Sequence, residues 1–513
     1  MTQPELRHPA SAAPGASRTG WFWLGCAVIS LGVLLHVPML VAAHAMGNRL
    51  AGMPVDAPML AGMAMIAVGA IMACWGALPG RAMVRDHDRV IQFAVREATP
   101  LNRWHATAMA VLAVGLVIDV MKPATLGFVL PGLAREYGID RSTAALLPLV
   151  ALTGTAAGSI VWGWIADAYG RRVSILLSAI LFASTSICGA MPSFGWNLLM
   201  CFLMGCSAGG MLPVVYTLLA EIIPPRHRSW VLVLVGGIGL VGGYLAASGA
   251  AHLLEPGYGW RSLWLQGFPT GLVLLLLARF IPESPAFLLA QGRHDELSRL
   301  AGKFGFVRVE RTALPHVNPG QPSKRSFEAA LVVTALSWSF VNFGLLLWLP
   351  MDLQARGYSS GLVSGVLASS ALLALPTTAL AAWCYSRFSS KWTLIGTVLL
   401  TMIGLLGALL PAELLVWRPL LIGVVTILIV GTNGTIAVLL PYTAESFAVG
   451  VRGRATGVVA GCSKFGGIAV QVAAIAKLFP TLGGAALALL APTVLGIVML
   501  GLAGRETRTG ARG

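Results

Sequence analysis

The sequence predicts an all-α polytopic membrane protein, with twelve spanning helices in two sets of six preceded by two extra ones. Three observations predict it. Of 513 residues, 57% are hydrophobic and 11% charged, with a mean hydropathy of +0.79, whereas soluble domains carry about 25% charge. Apolar runs of the roughly twenty residues needed to cross a bilayer recur about fourteen times, near 21–44, 57–79, 106–132, 142–165, 173–191, 195–220, 229–252, 262–281, 327–350, 360–383, 393–412, 419–443, 455–476 and 482–503. If residue 1 is cytoplasmic, 26 of the 35 Lys and Arg fall on that side, seven on the other and two inside runs, the asymmetry of the positive-inside rule.

That asymmetry accounts for the net charge of +15 without nucleic acid, which is excluded as a partner. Residues 1–20 form a cytoplasmic tail. The run that follows is too long, and starts too late, for a cleaved signal peptide. Segment 21–105 holds the two extra helices and a basic loop with Arg81, Arg85, Arg89, Arg96 and Arg103. With Arg505, Arg508 and Arg512 in the tail 504–513, the loop places both termini in the cytoplasm of a multi-pass protein of the cell (inner) membrane. Nine of 18 methionines lie before residue 106; soft ligands of this kind suit copper(I), but loose spacing favours apolar packing, and no metal or other cofactor is expected. Segments 106–281 and 327–503 form the six-helix bundles, joined by a polar cytoplasmic loop, 282–326, that is expected to contain a short interfacial helix and a flexible linker. The seven cysteines fall in or beside apolar runs without C-x-x-C spacing, so neither disulfides nor zinc are implied.

Between the second and third runs of the first bundle stands Gly163-Trp164-Ile165-Ala166-Asp167-Ala168-Tyr169-Gly170-Arg171-Arg172. Cations belong on a cytoplasmic flank, Gly170 allows a tight reversal, and Asp167 is able to pair across the bundle when that side closes. The stretch resembles the G-x-x-x-D-x-x-G-R-R loop of the major facilitator superfamily of secondary transporters. Further stretches carry the resemblance. Gly205 through Pro213, leading to Glu221 and Arg228, is similar to the fourth helix and its exit in sugar-porter-like and metabolite:proton branches, with glycines for close helix approach. Pro282-Glu283-Ser284-Pro285-Ala286-Phe287-Leu288 is similar to the P-E-S-P-R-W-L exit of the sixth helix, with the Arg and Trp replaced. Tyr442 to Phe447, with Glu445 and then Arg452, resembles the tenth-helix exit. Glu221 with Arg228 and Glu445 with Arg452 share a spacing of seven and lie 224 residues apart, as an internal duplication of the two halves implies. The second hinge, Ser386 to Lys391, lacks the acid and the Gly-Arg-Arg. The resemblance implies a cytoplasmic gate of Gly163, Asp167, Gly170, Arg171, Arg172, Glu221, Arg228, Glu283, Glu445 and Arg452.

Three ionisable side chains sit well inside the twelve-helix part: Asp119, Lys122 and Lys464. Each costs roughly 2.5–3.5 kcal/mol at the centre of a spanning helix and marks a functional site by default. Asp119 and Lys122, at i and i+3 before Pro123, share a face and are expected to pair. Either they form a plain salt bridge, or Asp119 takes up a proton and frees Lys122 for an anion. Asp119-Val120-Met121-Lys122 stands where aromatic-acid:proton symporters carry D-G-x-D, with the second acid replaced by lysine. Lys464 has no acid within a turn; it either faces the central cavity, as a basic residue does at this position in related carriers, or snorkels to the rim. One acid and two bases favour an anion over a cationic drug. Trp338, Phe343, Asn342 and Asn433 are candidate contacts to a planar acid, the rings having packing as their alternative. Leu336 to Gly344 lacks the Gln pair of sugar porters.

The expected activity is secondary active transport, proton-coupled symport of a small organic anion, a carboxylate metabolite, by alternating access. Its partners are that anion, protons and the lipid bilayer. The alternatives are a proton-driven exporter of an organic acid or drug and a transporter-like sensor. No nucleophile–base pair, metal motif or phosphate loop stands at a catalytic spacing, so no enzyme is expected.

Overall fold

The computed structural model describes residues 16–78, 91–95, 99–310, 325–447, 449–478 and 482–507. Fourteen helices among them are long and apolar enough to cross a membrane. In chain order they are spans 1 (Gly20–His44), 2 (Ala57–Ala77), 3 (Arg103–Tyr137), 4 (Arg141–Tyr169), 5 (Arg171–Ala190), 6 (Phe194–Ile222), 7 (Pro225–Tyr258), 8 (Ser262–Phe280), 9 (Arg325–Ala355), 10 (Ser360–Arg387), 11 (Ser390–Ala408), 12 (Arg418–Ser446), 13 (Ala455–Ile475) and 14 (Gly483–Ala503). Spans alternate in direction, so the turn at Gly170 and the exits of spans 6, 8, 10, 12 and 14 share one face, here the hinge side. The turns near Gly138, Gly259 and Gly357 share the other, the far side. Arg81, Arg85, Arg89 and Arg96 of the basic loop, and Arg508 and Arg512, lie outside the described residues.

Glycine governs the closest helix contacts. In span 1, Gly25 and Gly32 lie seven residues apart, as do Gly62, Gly69 and Gly76 in span 2. A Cβ on Gly25 would stand 2.5 Å from Ala73 N, and one on Gly32 2.7 Å from Gly62 O. Backbone therefore packs on backbone, the small-residue crossing that lipid-embedded helices use. The same device joins spans 4 and 6, where a Cβ on Gly158 would meet Cys206 O at 2.2 Å and one on Gly205 would meet Ala151 O at 2.0 Å. The glycines from Gly205 onward thus do what the sequence expects of them.

The first two spans and the segment that leads on to span 3 make polar contacts with the rest on each face. On the far side, Leu50 N and Ala51 N donate to Glu136 Oε1 at 2.8 and 2.9 Å. Glu136 is also held by Arg261, with 2.8 Å between Arg261 Nη2 and Oε1. On the hinge side, two short helices, Pro285–Ala290 and His294–Phe304, follow span 8, where the sequence predicts one interfacial helix. A strand, β2 (Phe306–Glu310), comes next and pairs antiparallel with β1 (Ile91–Val95), Phe93 opposite Arg308. This ladder is an addition to the helical fold. Asn102 caps span 3, accepting from Trp104 N and His105 N, and donates to Lys303 O at 2.7 Å.

Candidate functional site

Asp119 lies midway along span 3, 6% exposed. Pro123 has no N–H to offer the carbonyl four residues back, so the Asp119 carbonyl is released from the helix ladder. Its carboxylate makes no hydrogen bond with another described side chain, and the cation that acts on it is Lys464, on span 13 of the opposite half; Asp119 in turn is the anion that acts on Lys464. Lys464 is half-buried. Its helix is drawn onto span 9: Ser339 Oγ donates to Ser463 O, and Cβ atoms on Gly466 and Gly467 would stand 2.9 Å from Ser339 Cβ and 2.7 Å from Phe343 Cδ2. An acid and a base from different halves thus share the interior.

Lys122 departs from expectation. It does not pair with Asp119. Its Nζ donates to Phe182 O at 2.5 Å and Thr185 Oγ1 at 2.6 Å, and sits 4.1 Å from the centre of the Phe182 ring. The side chain is 1% exposed. Sharing a helix face brings two residues near, but the long lysine stem turns toward span 5, where the α-helix gives way to a 3₁₀ turn at Thr185–Ala190 and Gly267 leaves room beside its Cε, 3.0 Å from where a Cβ would stand. Carbonyl, hydroxyl and ring satisfy the ammonium inside one half. Among the three mid-span ionisable side chains, one acid and one base are left for the space between the halves, not one acid and two bases.

Asn342 and Phe343 occupy a π-helical turn, Asn342–Leu346, in span 9. Such a turn frees carbonyls and often accompanies function. Here Gln471 of span 13 bridges it: Gln471 Nε2 donates to Phe343 O at 2.8 Å, and Trp348 Nε1 donates to Gln471 Oε1 at 3.3 Å. Trp338 is 8% exposed, packs edge-on against Phe343 at 5.9 Å, and has an indole N–H without a partner. Asn433 is 5% exposed beside Thr432, whose hydroxyl is also unpartnered. The sequence reading misses two further buried, unpartnered hydroxyls, Tyr216 on span 6 and Tyr244 on span 7.

The hinge residues form a network inside the first half. Gly170 has φ +105°, and a Cβ there would stand 2.5 Å from Glu283 Oε2. Glu283 accepts from Arg171 N at 2.8 Å, Arg172 N at 3.4 Å and Ser284 N at 2.9 Å, capping the positive end of span 5. Burial pushes its carboxyl up, while these N–H groups and Arg171 draw it down. Arg171 also bridges Asp167 at 3.2 Å and Glu221 at 3.5 Å. Asp167 is 78% exposed and pairs within its own half in this arrangement, not across the bundle. Arg228 donates to Ile223 O at 3.4 Å, and no atom would approach a Cβ on Gly163 within 4 Å. Glu445 reaches across, accepting from Ser229 Oγ at 2.5 Å, with Tyr385 OH at 2.7 Å from its own half. Arg452 lies in a helix, its side chain outside the described residues.

The far side carries ionic contacts between halves that sequence alone does not reveal. Arg141 Nη1 stands 2.5 Å from Asp352 Oδ1, and its guanidinium 4.7 Å from the Trp348 ring centre. Lys477 pairs with Asp140 at 3.3 Å, and Arg135 donates to Gln354 Oε1 at 3.2 Å.

Two six-helix halves in contact at both faces, with an acid and a base of different halves in the interior, define a secondary-transporter bundle. The sequence matches the Major Facilitator Superfamily over residues 109–471, and the chain belongs to that family of transporters. It is similar to the niacin transporter NiaP of Acinetobacter baylyi, at 25% identity over 73% of this chain and 88% of that protein. It is also similar to the 4-hydroxybenzoate transporter PcaK of Pseudomonas aeruginosa, at 31% identity over 51% of this chain and 58% of that one. The xylose transporter XylE from E. coli, in a partially occluded inward-open conformation, superimposes with a TM-score of 0.62 at 16% identity, covering 80% of this chain and 100% of that one. It supports the fold alone. Spans 1 and 2 precede the matched family region.

Proposed function

We propose that the protein is a proton-coupled symporter of a small organic anion, a monocarboxylate with an aromatic or heteroaromatic ring, working by alternating access. The observation that carries this reading is the placement of an acid, Asp119 on span 3, and a base, Lys464 on span 13, in the interior of different halves, near enough for each to act electrostatically on the other. While Asp119 is ionised, it offsets Lys464. A proton on Asp119 leaves Lys464 uncompensated in a low-dielectric interior, where a substrate carboxylate is the fitting counterion. Proton and anion then enter together, because either alone leaves an unbalanced charge between the halves. Trp338, Phe343, Asn342 and Asn433 supply ring and amide contacts, and the relatives' substrates, niacin and 4-hydroxybenzoate, are ring carboxylates. The hinge side is cytoplasmic, by the cation excess, and the membrane is the cell (inner) membrane. The residues from Gly163 to Arg172, with Glu221, Arg228, Glu283, Glu445 and Arg452, gate that side, as Arg141 and Asp352 gate the other.

The test is uptake of labelled niacin and 4-hydroxybenzoate into proteoliposomes, acid outside. Asp119→Asn is expected to abolish accumulation driven by the proton gradient and retain exchange of pre-loaded substrate. Lys464→Ala is expected to abolish both. Normal gradient-driven uptake by either variant, or uptake indifferent to the gradient in the wild type, would overturn the reading.

A further inference from the structure

We infer that a cleft at the far-side edge of the interface between halves is a binding site for one anionic phospholipid. The cleft encloses about 450 Å³ and is walled by span 7 on one side and spans 10 and 12 on the other. Leu245, Leu362 and Ile422 make it apolar; Arg418, His252 and Ser369 supply its polar groups, and no carboxylate lines it. Arg418 begins span 12 and is exposed, with no hydrogen bond or ion pair to another described residue. His252 is engaged with Gly361 O at 2.8 Å, which joins the two walls and sets the depth of the cleft.

The surroundings face hydrocarbon and its border. Leu253 is 76% exposed, Leu372 58%, and Trp417, next to Arg418, 65%. An exposed Trp beside an exposed Arg at a helix end is how a span meets the headgroup layer. A site with an apolar trough and an unpaired guanidinium at headgroup depth is complementary to an acyl chain joined to a phosphodiester. A soluble anion would leave the trough empty, and a zwitterionic lipid brings its own cation against Arg418. The walls belong to different halves, so an occupant ties them together and stabilises the far-side-closed arrangement.

Thermal unfolding of the purified full-length protein in detergent tests this, with phosphatidylglycerol and phosphatidylcholine of identical chains added in turn, and with glycerol 3-phosphate alone. Phosphatidylglycerol is expected to raise the midpoint by about 2–5 °C, and the other two to leave it unchanged. Arg418→Gln is expected to lose the phosphatidylglycerol shift. Ser369→Phe, which fills the trough while keeping the guanidinium, is expected to lose it as well, and serves if the Arg418 variant does not fold. Equal shifts with both lipids, a full shift with glycerol 3-phosphate, or a full phosphatidylglycerol shift in either folded variant would overturn the inference.

Discussion

Asp352→Asn is expected to open the far side. In the wild type the Arg141 guanidinium contacts both carboxylate oxygens, at 2.5 and 3.4 Å, with side-chain exposures of 26% for Arg141 and 10% for Asp352. Removing one partner of a fully buried pair costs about 3–5 kcal/mol, because the other charge stays desolvated; for an exposed pair the loss is below about 1 kcal/mol. A quarter of Arg141 reaches solvent, and its contact with Trp348 survives the substitution, so the expected loss is about 1–3 kcal/mol, a factor of roughly 5–150 in the ratio of closed to open molecules. Spin labels at Gly195→Cys and Ala355→Cys, exposed far-side positions on opposite halves, report that ratio as a distance distribution once the half-buried Cys74, Cys206, Cys384 and Cys462 are replaced. The variant should gain a longer-distance population. The double variant with Arg141→Gln carries no stranded charge and should lie closer to wild type than Asp352→Asn does. An unchanged distribution in Asp352→Asn would refute the assignment of Arg141–Asp352 as a lock between halves.

Gly158→Ala and Gly205→Ala place a methyl against backbone, which cannot step aside, and should each lower stability by about 1–3 kcal/mol. Gly457→Ala and Gly461→Ala, with nothing within 4 Å, should raise the unfolding midpoint, since helical glycine costs about 1 kcal/mol against alanine. Gln471→Leu strands Phe343 O and Trp348 Nε1, at about 1–3 kcal/mol each, and thermal unfolding should show the loss. The Ser142 hydroxyl, with the Thr143 hydroxyl and N–H, holds the Asp140 carboxyl well below the usual carboxylate range. A depressed folded pKa contributes stability above the unfolded value near 3.9 and loses it only as pH falls through the lower folded value. Between about pH 5 and 8 the Asp140–Lys477 bridge therefore stays intact, and the pH profile of transport by Asp140→Asn should superimpose on that of the wild type. A chain beginning at Arg103 loses the Leu50 and Ala51 donors to Glu136 and should melt at a lower temperature than the full chain.

The architecture was legible because bilayer thickness fixes run length and the hinge is a local motif: residues 163–172 are contiguous, and a glycine before two arginines marks the reversal without reference to any distant residue. Asp119 and Lys464 were legible as individuals, since a charge in an apolar run stands out. Their mutual orientation was not, because helical spacing offers Asp119 a neighbour at i+3 and says nothing of a base 345 positions away. Whether Lys122 faces its own helix or another depends on how span 5 ends and on Gly267, both set by packing. Arg141 and Asp352 stand just outside their apolar runs, and only the meeting of span ends 211 residues apart turns them into a contact between halves. Gln471 stands in the sequence as a lone amide in an apolar run, which asks for a buried partner.

The two additional spans follow the same logic at a larger scale. Their mutual interface is glycine on glycine, while Ile71, Val41 and Trp75 on their outer faces are 70, 66 and 53% exposed, the surface of helices that meet lipid on one side only. Their attachments are to the first half: Glu136 through the backbone of Leu50 and Ala51, Gly257 O through Asn48 Nδ2 at 3.4 Å, and Pro192 O through Gly52 N at 3.2 Å. Glu136 is itself neutralised by Arg261, which also donates to Gly189 O and Met191 O at 2.9 Å, so the turn between spans 1 and 2 closes a cluster that joins spans 3, 5 and 8. At the opposite end β1 pairs with β2, and the linker through Glu310 is bound to the segment that leads into span 3. Under the proposed alternating access, the helical pair and the strand-paired start of the linker move with the first half. Among the described residues the hydrogen bonds of the added helices run to the first half, and the polar contacts named between halves are Arg141–Asp352, Lys477–Asp140 and Arg135–Gln354 on one face and Ser229–Glu445 on the other.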